Sequence, residues 1–246
     1  MRRLVLCLCL AMVGAVPARG ADALSPAQTK AVERIVHDYL VKHPEVLMET
    51  LQAAEDKDKA AKQVSAEQTI RDRHADIFDD PNALVGGNPK GDVTLVEFFD
   101  YRCPYCKQVQ PSIEGLIKSD PKLRIVYKEF PILGAPSVFA SQMALAARLQ
   151  SKYLAFHQAM MNTKGTIDDN VVLKVAASVG IDTNKAKTDM AASQVAADLK
   201  KDYALADALN INGTPAFIVG TKLIPGAIDL DDLKKLIADA RRGHAG

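Results

Sequence analysis

The stretch Phe-Phe-Asp-Tyr-Arg-Cys-Pro-Tyr-Cys-Lys (98–107) decides the fold, because it places two cysteines directly after a predicted strand at 93–99. Proline is best tolerated at the first position of a helix, so Pro104 predicts a helix start with Cys103 as its N-cap residue. Unsatisfied backbone N–H groups and the positive end of the helix dipole meet at that position. A thiolate at Cys103 would be stabilised there.

The spacing of the two cysteines predicts redox chemistry. Cys106 follows Cys103 by three residues, on the same helical face and within disulfide range. We expect Cys103, exposed at the turn, to have a lowered pKa and to attack substrate disulfides. Cys106, one turn further in, would be more buried and would resolve the mixed disulfide. Arg102 would add a positive charge beside the nucleophile.

Two other interpretations of the pair are open. A zinc site needs two further ligands, and the C-terminal half offers only His157 and His244. A purely structural disulfide between residues three apart would close a very short loop and constrain the unfolded chain little. Redox catalysis by Cys103 and Cys106 is the preferred interpretation, and we expect neither a metal nor an organic cofactor.

The N-terminus predicts export. Arg2 and Arg3 precede an apolar run over residues 4–16, and small residues follow up to position 21. This pattern is typical of a cleaved secretory signal over 1–21 and predicts a periplasmic protein. Two of the four cysteines, Cys7 and Cys9, lie inside the signal, which leaves only the Cys103–Cys106 pair in a compartment where thiols are oxidised.

Composition names no partner. The chain has 246 residues, of which 48% are apolar and 25% charged, with 31 basic and 30 acidic side chains. These values argue against a disordered chain and against a nucleic-acid binder, which would need a basic excess. Removing residues 1–21 takes away three arginines and no acid, so the mature chain has a net charge of −2.

Residues 22–80 predict an N-terminal helical arm that could oligomerise. Ser25 and Pro26 predict a helix start, and His43 with Pro44 break that helix. A second helix could run from about 45 to 78. Its charged middle cannot bury itself in its own domain, so the arm is either solvated, packed against copies of itself, or a loosely ordered linker.

The rest of the chain predicts an α/β domain over 81–242, with the boundary in the Asp, Pro and Gly clusters of 79–91. Strands are expected at 93–99 and 123–130, a helical insert at about 136–209, a hairpin around Gly220 and Thr221, and a closing helix at 230–240.

Two further features accompany the cysteines. Glu97 interrupts the apolar strand and, if buried, would have a raised pKa and could relay the proton of Cys106; it could equally face outward. Thr214 and Pro215 precede the strand beginning at 216, where a cis bond would turn the chain and free the Thr214 backbone to pair with an extended substrate. A trans-proline turn is the plainer alternative there.

The motifs at 98–107 and 213–220, with a helical insert between them, resemble the DsbA-like branch of the thioredoxin superfamily. The N-terminal helices make the chain most similar to the suppressor-of-copper-sensitivity protein C group. The resemblance implies a thioredoxin fold with inserted helices, Cys103 as nucleophile, Cys106 as resolving thiol and Pro215 in cis. It also implies that Glu97 is the buried acid.

The resemblance further implies partners. Some members of the group are trimers joined through their N-terminal helices and act as disulfide isomerases kept reduced by a membrane-bound electron donor. Thr214 before the proline also resembles isomerases more than the monomeric oxidases. The expected clients are exported proteins that contain cysteine.

Three functional alternatives stay open. The protein could be a DsbA-like dithiol oxidase, or the two thiolates could hold Cu(I) as a copper-tolerance protein. In the third alternative, residues 22–80 carry the function as a helical assembly or holdase element, and the cysteine domain is a passenger.

Overall fold

The computed structural model describes residues 24–243, so the predicted signal, Cys7, Cys9 and His244 lie outside the described residues. The chain divides into two compact units between Lys57 and Asp58. This division lies upstream of the cluster at 79–91 where the sequence predicts the domain boundary.

The described part of the N-terminal unit, residues 24–57, is almost entirely helical. Helix α1 (Pro26–Lys42) begins with a capping box, in which the Ser25 hydroxyl accepts from the Gln28 backbone and the Ser25 backbone donates to the Gln28 side chain. Helix α2 (Pro44–Asp72) starts directly after His43, as the sequence predicts. No residue of α1 is buried. The expected second helix is shorter than predicted, because a break at Arg73 separates α2 from α3 (His74–Phe78).

The second unit is built on a five-stranded mixed sheet. Its strands are β1 (Leu84–Gly87), β2 (Val93–Phe99), β3 (Leu123–Glu129), β4 (Ala216–Val219) and β5 (Lys222–Pro225). They lie in the order β1-β3-β2-β4-β5, with only the β2–β3 pair parallel. The β4–β5 hairpin turns at Gly220, whose φ of +58° suits glycine.

Helices cover the sheet. They are α4 (Pro104–Ser119), α5 (Ala135–Arg148), α6 (Tyr153–Asn162), α7 (Asp169–Ser178), α8 (Thr183–Met190), α9 (Ser193–Ala208) and α10 (Leu230–Gly243). Helix α4 crosses over between the two parallel strands, and Pro111 is accommodated inside it. Helices α5 to α9 form the insert that the sequence places at about 136–209.

Each face of the sheet has its own apolar core. Leu95, Phe99 and Tyr127 face the larger core, which includes residues of α4, α5 and α10. Val96 and Phe98 face the smaller one, which also contains Ile70 of α2 and Ile77 of α3. Ile70, Ile77 and Phe78, which the sequence assigns to the arm, therefore contribute buried side chains to this smaller core.

Two expectations about strands were wrong. The sequence does not predict strand β1, because Gly86 and Gly87 lie in the Asp, Pro and Gly clusters of 79–91. Adjacent charges on a strand, such as Lys128 and Glu129 of β3, predict a solvated face, yet these two residues are 2% and 0% exposed.

Within the described part of the chain, every helix is too short or too polar to traverse a bilayer.

Candidate active site

Cys103 lies at the start of α4, as the sequence predicts. It is the N-cap residue, with Pro104 at the first helical position. Its backbone N–H donates to the Asp100 carbonyl at 3.0 Å. The side chain is 4% exposed, so it is less accessible than the turn position suggested. Cys103 therefore presents only a small area to solvent.

Several hydrogen bonds stabilise the thiolate of Cys103. A hydrogen bond with Cys106 is the largest cause, and the Thr214 side chain and the backbone N–H groups of Cys106 and Tyr105 add to it. Burial opposes them, but the sum lowers the pKa of Cys103 from 9.0 to about 6. Cys103 is therefore ionised at neutral pH in the reduced protein.

Cys106 has the opposite environment. It is one turn into α4 and completely buried. Burial, the hydrogen bond to Cys103 and the nearby Glu97 charge raise the pKa of Cys106 far above its ordinary value. The two sulfurs are free thiols with strongly different acidities. One is ready to attack and the other is held protonated.

Glu97 is buried rather than turned to solvent. Its side chain is 0% exposed, and both carboxylate oxygens lack a hydrogen-bond partner. Burial, followed by repulsion from the Cys103 charge, raises the pKa of Glu97 to about 8. A carboxyl group with that pKa can take up or release a proton near neutral pH.

Sheet pairing brings Thr214 and Pro215 to the cysteines. Phe98, near the end of β2, pairs with Ala216 at the start of β4. The residues just beyond these strand ends are therefore neighbours, although they are separated by 111 positions. The Cys103 Sγ lies 3.2 Å from the Thr214 carbonyl oxygen, and the Thr214–Pro215 peptide bond is cis.

The sequence missed a buried carboxylate cluster beneath the motif. Glu129 Oε1 accepts from the hydroxyls of Tyr101 at 3.1 Å and Tyr153 at 3.0 Å, and Oε2 accepts from Ser141 at 2.7 Å. Burial raises the pKa of Glu129 to about 8, although the three donors oppose that shift. The cluster ties Tyr101, two residues before Cys103, to helices α5 and α6.

His157 lies beside this cluster in an aromatic box. Its Nδ1 lies 3.3 Å from the Tyr101 hydroxyl, while its Nε2 is buried without a partner. Burial lowers the pKa of His157 to about 3, so the imidazole is neutral. Since it is enclosed by rings of Phe99, Tyr127 and Tyr153, His157 is a core residue.

Asp100 organises the loop that presents Cys103. Its carboxylate accepts from the Arg102 and Leu133 backbone N–H groups at 2.7 and 2.9 Å, and from the Ser137 hydroxyl at 2.8 Å. The Arg102 guanidinium donates to the Leu133 carbonyl. Arg102 thus joins two loops in addition to carrying charge. Asp100 could have been suspected only from its place inside the motif.

The contacts of Lys107 with the end of α6 were not predicted from the sequence either. Its Nζ donates to the carbonyls of Met160 at 2.8 Å, Met161 at 3.3 Å and Thr163 at 2.7 Å. These carbonyls belong to the C-terminal end of α6, where cations are favoured. Burial lowers the pKa of Lys107 to about 8.

The described residues do not group into a metal site. Over 24–243, no three His, Cys, Asp or Glu side chains are placed to hold an ion together. His157, the ligand considered for zinc, belongs to the aromatic box described above. The geometry places a thiolate, a buried thiol and a cis-proline together beyond the C-terminal end of β2, the central strand of the mixed sheet. That arrangement is the DsbA-like thioredoxin fold with an inserted helical domain.

Comparison with known proteins agrees with the geometry. Residues 94–238 match the DSBA-like thioredoxin domain, which covers more than half of the chain, so the protein belongs to that family. Residues 28–61 match the copper resistance protein ScsC N-terminal domain. The first match lies within the second unit, and the second match lies on helices α1 and α2.

Two solved structures are similar to this chain along most of its length. A thioredoxin-like oxidoreductase from Silicibacter pomeroyi is 48% identical, with a TM-score of 0.67, over 68% of this chain and 97% of its own. Proteus mirabilis ScsC in a transitional conformation is 29% identical, with a TM-score of 0.66, over 89% of this chain and 100% of its own.

Among curated proteins, the thiol:disulfide interchange protein DsbA of Bordetella parapertussis is 27% identical over 60% of this chain and 72% of its own length. The chain is also 26% identical to Na(+)/H(+) antiporter NhaA 1 from Salinispora arenicola, of whose length it spans 25%. The similarity to the antiporter therefore concerns only a fraction of that protein.

Proposed function

We propose that this chain is an exported, periplasmic thiol-disulfide oxidoreductase that reduces and isomerises disulfides of exported proteins. The observation that carries the proposal is the opposite acidity of the two cysteines in one motif. The pKa of Cys103 is lowered to about 6, whereas that of Cys106 is raised. Such a pair supplies one nucleophile and one resolving thiol.

The first step is attack by the Cys103 thiolate on a client disulfide. The Cys103–client S–S bond forms while the client S–S bond breaks, and one client sulfur leaves as a thiolate. In isomerisation, another client thiolate attacks the mixed disulfide and releases Cys103 as a thiolate. No net electrons are then exchanged with the client.

The second route reduces the client. Cys106 loses its proton and its thiolate attacks the Cys103 sulfur, which forms the intramolecular disulfide, breaks the mixed disulfide and releases the client sulfur as a thiolate. Glu97 is the proposed acceptor of that proton, because it is buried near the pair and the pKa of its carboxyl lies near 8. A membrane-bound thiol-disulfide donor would then return the pair to the dithiol.

The surface around Cys103 suits protein clients. Thr214 and Pro215 precede β4, and the Thr214 carbonyl lies beside the nucleophile. Large apolar side chains are exposed nearby, with Tyr105 at 58% and Leu133 at 41%. An extended client segment could hydrogen-bond with the Thr214 backbone and cover these side chains.

Two variants test the mechanism. Cys103→Ser should abolish rescue of a protein with scrambled disulfides, and retained rescue would end the proposal. Cys106→Ser should still attack and should accumulate a mixed disulfide with the client, because the resolving thiol is gone. If the wild-type protein oxidises a dithiol peptide quickly but fails to rescue scrambled substrate, the oxidase alternative wins.

We further propose that the N-terminal helices assemble the protein as a homotrimer. Helix α1 and the start of α2 expose apolar side chains at helical spacing: Val32, Ile35, Val36, Tyr39, Leu47 and Leu51. Ile35 is 67% exposed and no residue of α1 is buried. A face of this kind is stabilised when it packs against copies of itself.

Sedimentation of the mature chain tests assembly. The matched truncation should begin at Asp58 rather than after residue 80, because Ala66, Ile70, Ile77 and Phe78 are buried in the second unit. We expect a trimer for the mature chain and a monomer for the truncation. A monomer in both cases would rule out assembly through α1, and with it the helical-assembly alternative.

Binding of Cu(I) is a second candidate function, favoured by the match of residues 28–61 to a copper resistance protein domain. Two thiolates are suitable soft ligands. A copper titration of the reduced protein, with Cys103→Ser as control, decides this candidate. Absence of bound copper in the wild-type protein would dismiss it.

A further inference from the structure

We propose that a basic cavity beside Cys103 binds acidic side chains that neighbour the target cysteine of a client. The inference rests on the proposed function and names the client sequences that this site prefers. The cavity, of about 630 Å³, is lined by Arg102, Pro104 and Lys107 and by residues 161–167. We call it the basic cavity.

The lining carries positive charge without a matching carboxylate. Arg102, Lys107 and Lys164 all line the cavity, and none of its lining residues is acidic. Two acids lie close to the lining: Asp168 is the N-cap of α7 and accepts from a backbone N–H of that helix, and the buried Asp100 carboxylate accepts from the Arg102 backbone N–H at 2.7 Å. Both carboxylates are engaged by backbone donors and neither lines the cavity, so the charged groups that face it are the three cations.

Two of the cations are held in place by uncharged partners. Arg102 donates to the Leu133 carbonyl, and Lys107 donates to three carbonyls at the end of α6. Carbonyl oxygens orient these side chains but do not neutralise their charge. Lys107 also fixes the segment that carries Lys164 next to α4, so it acts as a positioning residue for the cavity.

The cavity is adjacent to the reacting sulfur. Arg102 and Pro104 flank Cys103 in the chain, and both line the cavity. A client whose cysteine is bonded to Cys103 therefore places its neighbouring side chains over the cavity. A carboxylate there would meet Arg102 and the exposed Lys164.

Local charge, rather than the charge of the whole protein, would produce the preference. The mature chain has a net charge of −2, which repels acidic peptides weakly. An observed preference for acidic neighbours would thus originate at the site. One exposed charge pair of about 1 kcal/mol corresponds to about a fivefold effect.

The test compares two disulfide-linked peptides that differ only in the residues flanking cysteine, glutamate in one and glutamine in the other. The reduced mature protein attacks each peptide, and each rate is divided by the rate at which 2-mercaptoethanol reduces the same peptide. We expect the normalised rate of the glutamate peptide to be about fivefold higher at low salt. High salt should diminish that ratio, because screening weakens exposed charge pairs.

Charge-reversal variants locate the effect. Lys164→Glu should lower the ratio to about one or below. Lys187→Glu, which makes the same change in net charge on α8 and does not line the cavity, should keep the wild-type ratio. Each variant is measured with both peptides, so a general loss of activity lowers both rates and cancels in their ratio.

The outcomes separate the two proposals. If neither peptide is reduced, the proposed oxidoreductase function fails. If both are reduced with equal normalised rates, the function stands and the basic cavity is not a client subsite. If Lys164→Glu and Lys187→Glu lower the ratio equally, the preference arises from net charge and the assignment to the cavity is overturned.

Discussion

The Sγ of Cys103 lies 3.2 Å from the carbonyl oxygen of Thr214, across 111 residues of sequence. The contact joins the N-terminus of α4, which carries the two cysteines, to the segment before β4, which carries Thr214 and Pro215. The nucleophile and the proposed client-binding backbone are thus parts of one site. The predictions below follow from that site and from the buried groups beneath it.

Thr214→Val should raise the pKa of Cys103 and slow its attack at neutral pH. The substitution keeps the side-chain shape and removes a hydroxyl whose hydrogen bond lowers the pKa of the Cys103 thiol. We expect an upward shift of about 0.5 to 1 pKa unit, since one hydrogen bond contributes about 1 kcal/mol. The midpoint of the alkylation rate against pH measures the shift, and an unchanged midpoint would refute the role of the hydroxyl.

Glu97→Gln should make the protein relatively more stable as pH rises. The folded-state pKa of Glu97 is raised from 4.5 to about 8, so in this window the folded protein holds a proton that the unfolded chain has released. Its contribution to stability therefore falls from pH 4.5 to 8. Glutamine does not titrate, so the variant does not lose stability in this way. Between pH 4.5 and 8, the free energy of unfolding of the variant minus that of the wild type should increase by on the order of 3–5 kcal/mol.

Denaturant unfolding of both reduced proteins at several pH values tests the Glu97 prediction. The difference between the two curves, rather than the absolute stability of the variant, is the readout, because glutamine also needs hydrogen-bond partners in that site. Parallel stability curves would contradict a raised pKa at Glu97.

Tyr101→Phe should destabilise the reduced protein by about 1–2 kcal/mol. It keeps the ring and removes a donor to the buried Glu129 carboxylate. Tyr153→Phe removes the second donor to the same oxygen and should cost a similar amount. Tyr105→Phe is the matched control, because Tyr105 is 58% exposed and its loss should cost under about 0.5 kcal/mol.

A double-mutant cycle on Tyr101 and Tyr153 checks whether the two hydroxyls act together. Both bind Glu129 Oε1, so we expect their effects to be non-additive. Strictly additive losses of stability would contradict a shared role at Glu129. A loss of stability in Tyr105→Phe equal to that in Tyr101→Phe would show that the bond to Glu129 is not the cause.

The active-site half of the fold is predictable because its signals are local. A proline at the first helical position fixes Cys103 as N-cap, and an apolar run followed by this turn fixes β2. The glycine at 220 marks the hairpin for a similar reason. The proximity of Thr214 to Cys103 followed from resemblance to a family, since no local pattern relates residues so far apart.

The burial of Lys128 and Glu129 was not predictable in this way. Two adjacent charges on β3 indicate a solvated face unless their partners are known. The partners of Lys128 and Glu129 come from distant elements: Asp202 of α9 accepts from the Glu129 backbone at 3.0 Å and pairs with Lys128 at 3.4 Å. Tertiary packing therefore decides their burial, and a single sequence carries no pairing information of that range.

The most direct test of the account is the pH profile of Cys103 reactivity in the reduced wild-type protein. Alkylation by iodoacetamide, with the modified sulfur identified by mass spectrometry, should show a midpoint near pH 6 at Cys103 and no reaction at Cys106 up to alkaline pH. A Cys103 midpoint near 9, the ordinary value of a thiol, would contradict the claim that this site holds a thiolate at neutral pH.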